Sequence, residues 1–489
     1  MLSKQYMKTS KVNWQRILPI IFSALSAVIS LLTTFFVARI LKPAAYGEVQ
    51  GFVGVIQVLS IVAALGLPDF LTKSSQFAEN KKAFFSKYFL LVCCWSIIVF
   101  PAFFAIAYFL MNMFKNNAIL ITITALAAFA QCVAMLIGGF YLGIYKQAKG
   151  ILFESLLPKF LLLILSFGLI FILNAFSNSS SPYEDFYKYY IYGFFVIYGA
   201  ISLVFIIILV RKTSFKFSKK EILTILAFFA LNATYSLNTA LGKVIGSEFY
   251  HVEEVGAFSL SAQLVTLATL FVSVITSMSK PVFSSLANDK EKLILYFQKI
   301  TRVNSFIVIP FCIGFMVQSQ SLLSLVDSGY APYFLLLILM SAGTLFANVT
   351  GPNGSMLAMA NHEKIEIVNG IINIAVFVIC AFAFRFLDQY LGGGTGLALA
   401  TLVAIFLVNL VKLIEIRVVY KTNPYPLQLV VHLLILMAVS TLVFFLIDLI
   451  PNNYVKIAVD CVVGLGLIVG GFVINPNKDD KYFFSNKTI

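Results

Sequence analysis

Fourteen runs of about 20 apolar residues, spread along almost the whole of a 489-residue chain, limit what this sequence can fold into more than any other feature. They lie near 17–38, 51–71, 88–110, 118–142, 151–173, 188–210, 222–246, 255–279, 300–318, 332–357, 365–384, 395–416, 428–449 and 455–474. Runs of this kind fit either the core of a very large soluble protein or a bilayer, and composition decides between them. The chain is 60% hydrophobic and 11% charged, whereas soluble domains are roughly half apolar and about 25% charged. Hydrocarbon offers no partner to a backbone N–H or C=O, so each run is expected to cross as a helix that satisfies its own backbone. The expected fold class is an all-α integral membrane protein with about 14 transmembrane helices. The ninth run is the weakest, because "VNSFIVIPFCIGFMV" (303–317) is short and Pro310 interrupts it. No connection is long enough for a soluble catalytic domain. The first run is too long for the apolar region of a signal peptide, and no small-residue cleavage site follows it.

Lysine and arginine set the expected orientation. With the N-terminus inside, the inner segments hold 27 of them and the outer segments 7, namely Arg39, Lys42, Lys115, Lys188, Lys243, Arg385 and Lys456, with Lys159 inside the fifth run. Positive residues are retained in cytoplasmic loops, so both termini are expected in the cytoplasm. The net charge of +14 is then an orientation signal and a contact with anionic headgroups, and no nucleic-acid partner is expected.

Residues with catalytic potential are scattered. The six cysteines, Cys93, Cys94, Cys132, Cys312, Cys380 and Cys461, all fall within runs and lack metal spacing, so they read as small packing residues. His251, His362 and His432 stand apart, and "GGGTG" (392–396) reads as a turn between runs. No cofactor or metal is expected, and the chain does not read as an enzyme.

The second half repeats the first. "AYGEVQGFVGVIQVLS" (45–60) matches "EVGAFSLSAQLVTLAT" (254–269), which places Gly47 on Gly256, and the span that follows is broken near its inner end by Pro68 or Pro281. "AENKKAF" (78–84) meets "ANDKEKL" (287–293), with 34 residues from Gly47 to Lys81 and from Gly256 to Lys290. The expected organisation is a cytoplasmic segment 1–16, an N-terminal lobe 17–210, a linker 211–221, a C-terminal lobe 222–419, an appended pair 428–474 and a cytoplasmic tail 475–489. Six spans per unit give both units one orientation, related by a pseudo-two-fold along the membrane normal, and a substrate is expected between them. Such a chain reads as a transporter.

Polar residues inside the spans test this by helical period. Asn232, Tyr235, Ser236, Thr239 and Lys243 share an arc on the seventh run; Ser259, Gln263, Thr266, Ser273 and Ser277 share one on the eighth. Gln50, Gly54, Gln57 and Ser60 do so on the second run, and Ser23, Ser26, Ser30 and Thr34 on the first. Two readings stand side by side: these stripes hydrogen-bond between helices as packing glue, or they line a cavity. Candidate substrate-binding residues are Arg39, Lys243, Asn232, Tyr235, Thr239, Gln57 and Gln263. Arg39 lies off the stripe of its own helix, and an interfacial anchor is the competing reading for it. Glu154, Lys159, Lys280, Lys299 and Arg302 lie near inner boundaries and are expected to snorkel. Lys456 and Asp460, four apart, are expected to pair; Asp460 is the candidate for coupling to a proton or sodium gradient.

Several of these stretches together resemble the polysaccharide (oligosaccharide) flippases, of the O-antigen and capsule type, within the multidrug/oligosaccharidyl-lipid/polysaccharide exporter superfamily. They are "ARILKPAAYGEV" (38–49), "LGLPDFLTK" (65–73), "VGAFSLSAQL" (255–264), "SKPVFSSLANDKEKL" (279–293), "LLSLVDSGYAPYFLLL" (322–337) and "GSMLAMANHEKIEIVNGIINI" (354–374). The resemblance implies two six-helix lobes in a V around a central cavity. It also implies export of polyprenyl-diphosphate-linked oligosaccharide from the inner to the outer leaflet of a bacterial cytoplasmic membrane, by alternating access. Its partners would be the lipid-linked oligosaccharide, membrane lipids, and a glycan polymerase or glycosyltransferases. "KVIGSEFYHVEEVG" (243–256) looks longer and more acidic than its first-half counterpart, which matches Lys243 only loosely to Arg39. The alternatives are a cation-coupled drug antiporter of the same superfamily, a lipid II flippase, which the fourteen spans also suggest, and a membrane scaffold for glycan assembly. A diphosphate carries about two negative charges, and a cationic, amide- and hydroxyl-lined cleft can replace its hydration.

Overall fold

In the computed structural model, Asn80, Asn117 and Asp289 cap the helices that follow them. The structure describes residues 14–176, 186–212, 217–232, 237–360, 362–421, 423 and 425–474. The helices are α1 (Trp14–Ala64), α2 (Leu67–Ser74), α3 (Lys81–Leu110), α4 (Ala118–Gly143), α5 (Gln147–Ile151), α6 (Leu157–Phe176) and α7 (Phe186–Leu209). They continue as α8 (Lys219–Asn232), α9 (Asn238–Phe249), α10 (Val252–Ser285), α11 (Lys290–Val317), α12 (Ser319–Val326), α13 (Phe334–Val349), α14 (Asn353–Met359) and α15 (Glu363–Ala383). The last are α16 (Asp388–Leu391), α17 (Thr395–Tyr420), α18 (Leu427–Asp448) and α19 (Asn453–Ile474). Among the described residues there is no strand, and twelve helices are long and apolar enough to cross a membrane. The fourteen apolar runs meet twelve such helices for two reasons. The first two runs share α1, and the seventh is divided between α8 and α9.

The turn expected between the first two runs is compressed into one residue. Lys42 (φ 60, ψ 175) alone leaves the helical region inside α1, and Pro43 restarts the helix at a position where its missing N–H costs nothing. One turn earlier, the Ala38 carbonyl accepts from the Tyr330 hydroxyl (3.3 Å), so the "VDSGYAPY" segment buttresses the kink. The ninth run is likewise corrected. Pro310 lies inside an unbroken 28-residue α11 that is among the most buried helices of the fold, so its polar residues meet protein and not lipid.

Two pairs of helices start at one fixed offset. α3 and α11 begin at Lys81 and Lys290, and α7 and α17 at Phe186 and Thr395, each pair 209 residues apart. Asn80 caps α3 by accepting from Ala83 N, and Asp289 caps α11 by accepting from Lys292 N, both at 3.2 Å. The same offset sets Lys42 on His251, the break before α10, so the second-half segment is no longer than the first. Lys243 then corresponds to Thr34, and Arg39 to Glu248. The repeat is imperfect at the other end. α1 ends at Leu65 (φ 50) and Gly66 (φ 74) just before Pro68, whereas α10 runs through Pro281 without a break.

Candidate functional site

The two halves meet along α1, α9 and α10. Gly47, Gly51 and Gly54, at i, i+4 and i+7, form a ridge on α1 with no side chain to hold α9 and α10 away. A Cβ at Gly47 would meet the Val252 carbonyl, and one at Gly256 would meet the Pro43 carbonyl, so the two glycines matched by the repeat face each other at the Lys42 end. Glu248 fastens the same end by accepting from Asn112 N (2.9 Å) and Met113 N (3.2 Å). At the opposite end Gly66 packs on the backbone of Phe228 and Phe229, Asp69 pairs with Lys280 (3.5 Å), and Lys87 pairs with Glu221 (3.0 Å). The halves therefore touch at both ends.

Between those contacts the polar stripes find each other. Lys243, 8% exposed, donates from Nζ to Gln50 Oε1 (2.9 Å) and packs its stem on Gly54; no acidic side chain pairs with it among the described residues. Gln263 donates to Ser30 Oγ at 2.8 Å, joining α10 to α1. Ser60 bonds to the Ala128 carbonyl and Gln131, and Ser26 to Ser155, within the first half. Packing glue thus accounts for much of each stripe, while Lys243 is left with two ammonium protons that find no partner here.

The other candidate residues separate. Arg39 is exposed and makes no hydrogen bond or ion pair with another described residue. Gln57 is half-buried in α1. Thr239 leaves the seam: it lines a cavity of about 50 Å³ within the second half, with Asn238, Ala347, Asn373, Thr401, Ile405 and Asn409. There Asn238 and Asn373 exchange hydrogen bonds of 3.2 and 3.0 Å. Tyr235 and the Asn232 side chain lie outside the described residues. Asp460 does not pair with Lys456. Lys456 reaches Asp448 Oδ1 at 2.8 Å, because the short turn between α18 and α19 brings Asp448 over it, and both Asp460 oxygens are buried without a hydrogen-bond partner.

Three further charges depart from expectation. Arg302 does not snorkel; it is 8% exposed and lies over the Phe306 ring, and Lys280 turns to Asp69. Lys412, counted among the inner-loop charges, is 1% exposed inside the second half and pairs with the fully buried Glu366 at 2.9 Å. Asn369 donates to Glu415 (2.7 Å) and to Glu366 (3.4 Å). Sequence reasoning missed this cluster, although Glu366, Asn369 and Asn373 at i, i+3 and i+7 on one helix, facing Asn409, Lys412 and Glu415 at i, i+3 and i+6 on the next, carry its signal. No group of His, Cys, Asp and Glu able to hold a metal is found among the described residues.

Among solved structures, the lipid II flippase MurJ in an inward closed conformation matches at TM-score 0.64 and 16% identity, covering 94% of this chain and 98% of that one. An inward-facing multidrug resistance MATE family transporter of the MOP superfamily matches at 0.60 and 12%, covering 83% and 98%. A MOP superfamily transporter from Pyrococcus furiosus matches at 0.54 and 12%, covering 86% and 100%. At these identities the likeness is one of fold alone. The search of curated proteins gives no significant match. The sequence profile described as "Polysaccharide biosynthesis protein" matches residues 36–328, more than half of the chain, and the protein belongs to that family.

Proposed function

We propose that this protein is a flippase that moves polyprenyl-diphosphate-linked oligosaccharide from the inner to the outer leaflet of a bacterial cytoplasmic membrane. On this reading the two halves are lobes that rock about their seam, both termini lie in the cytoplasm, and the Lys42 end faces outward. The observation that carries it is Lys243: a cation buried between the halves with an amide for its only described partner, in a chain whose family serves polysaccharide synthesis. Burying a charge without a counter-charge is costly, and an anionic headgroup entering the seam would offset that cost. Arg39 and Lys42, exposed at the outer end, add positive charge along the exit path. Asp460 remains the candidate for coupling to a proton or sodium gradient.

A second reading, lipid II as the cargo, is favoured by the likeness to MurJ over 94% of the chain. Both readings share the diphosphate-linked sugar. The MATE likeness supports the third, a cation-coupled antiporter.

Reconstitution into liposomes separates them. Three cargoes are supplied: a fluorescent polyprenyl-diphosphate-linked oligosaccharide, a fluorescent lipid II and a cationic dye. The oligosaccharide lipid is expected to become accessible to an impermeant quencher faster than the lipid II, with no dye uptake. Faster lipid II translocation selects the second reading, and dye uptake with neither lipid moving removes both.

A further inference from the structure

A second polar site lies at the Lys42 end, away from the seam. α12, the end of α11, and the facing ends of α18 and α19 enclose a surface cleft of about 350 Å³ lined by Gln320, Ser321, Ser324, Asp448, Asn453 and Lys456, with Val317 at its apolar edge. That volume holds about a dozen waters, or a sugar of one to two rings, and is within the range of small-molecule sites.

The lining chemistry narrows the ligand class. Gln320, Ser321, Ser324 and Asn453 offer neutral amide and hydroxyl groups, each both donor and acceptor, as a polyhydroxylated ring requires. The charged pair is already closed on itself: Lys456, 7% exposed, donates to Asp448 Oδ1 at 2.8 Å and lies 3.4 Å from Ser321 Oγ. The cleft wall therefore carries no net charge to draw an ion. The nearby Asp460 carboxylate has both oxygens covered. The neighbouring Tyr454 is 70% exposed.

We infer that this cleft binds a neutral carbohydrate, through the amides and hydroxyls of α12 and α19. The choice of sugar rests on the glycan reading above; the cleft does not. α12 joins the site to the α1 kink. Its Gln320, Ser321 and Ser324 line the cleft, while Leu323 and Val326 are buried in the core that also holds Val37, Leu41 and Tyr46 at the α1 kink. A sugar seated here contacts the helix that packs against the α1 kink.

Saturation-transfer NMR on the full chain in nanodiscs tests this with glucose, N-acetylglucosamine, maltose, glucuronate and glycerophosphoethanolamine. Saturable binding of at least one neutral saccharide is expected, weakened tenfold or more by Ser321→Leu and by Asn453→Leu at unchanged thermal midpoint. Ser324→Ala, a smaller change, is expected to weaken it about threefold. Asp448→Asn frees the Lys456 ammonium, so glucuronate should then bind better than glucose. Three results would overturn the inference: no neutral saccharide binding, binding equal in parent and all three lining variants, or binding of glycerophosphoethanolamine alone. Liposome transport read in parallel keeps the two ideas apart. Saccharide binding without lipid translocation strikes the flippase reading, and translocation without saccharide binding strikes the cleft.

Discussion

Two lysines in this molecule are almost equally hidden and differ in what they meet. Lys412, inside the second half, contacts the Glu366 carboxylate at 2.9 Å, and a surrounding amide, Asn369, links that acid to Glu415. Lys243, in the seam between halves, meets a neutral amide. A buried cation with a matched anion is satisfied within the fold and holds α15 to α17. A buried cation without one leaves electrostatic demand unmet, at a surface that must part if the halves move. Lys412 is thus satisfied within the fold, and the proposal that Lys243 meets a ligand rests on its lacking such a partner among the described residues. The same contrast separates both from Arg39, which water or headgroups can solvate.

The largest effect is expected at Lys412. Lys412→Met strands the Glu366 carboxylate in the interior, and breaking a buried pair this way costs about 3–5 kcal/mol. Thermal unfolding in detergent should show a large drop in midpoint, and Lys412→Met combined with Glu366→Leu should recover most of it. A single variant as stable as the parent would end the distinction between the two lysines.

At Lys243 the two readouts should diverge. On the flippase reading, Lys243→Met removes a charge-assisted contact to diphosphate worth roughly 1.5–3 kcal/mol, so lipid translocation should fall about 10- to 100-fold, while the thermal midpoint holds or rises. A fall in stability that parallels the fall in transport would make Lys243 structural as well.

Arg39 should matter less. Exposed charges contribute about 0.2–1 kcal/mol, so Arg39→Ala should slow transport about two- to fivefold and Arg39→Glu more. If Arg39→Trp restores full transport, the residue is an interfacial anchor and has no part in handling charge.

The smallest effect is expected where the halves touch through half-exposed charges. Asp69 and Lys280 retain 25% and 29% side-chain exposure, and a pair of that kind adds only about 0–1 kcal/mol. Asp69→Asn should shift inter-half spin-label distances at that end by a modest change in population, and the swap Asp69→Lys/Lys280→Asp should reverse it. Wholesale opening by Asp69→Asn would show that the glycine contacts at Gly66 carry less of the closure than their closeness implies.

The helical membrane fold was legible in the sequence because hydrocarbon imposes a local rule: every run must satisfy its own backbone, and length and polarity suffice to find it. The matching helix starts at Lys81 and Lys290 were legible for a related reason, since the caps Asn80 and Asp289 act on their own segment of backbone, whereas Gly47 and Gly256 meet backbone across the seam. The kink at Lys42 was half legible; a break was signalled, its confinement to one residue was not. Partners of the charges were decided by tertiary structure alone. Helical period gives the face on which Lys243 or Lys412 lies, but Gln50 reaches Lys243 across 193 residues of chain and Glu366 reaches Lys412 across 46. Lys456 shows the limit most simply. The i+4 rule offered Asp460 on the same helix, and the turn between α18 and α19 supplied Asp448, because a contact is chosen by which helices pack together and not by spacing along one of them.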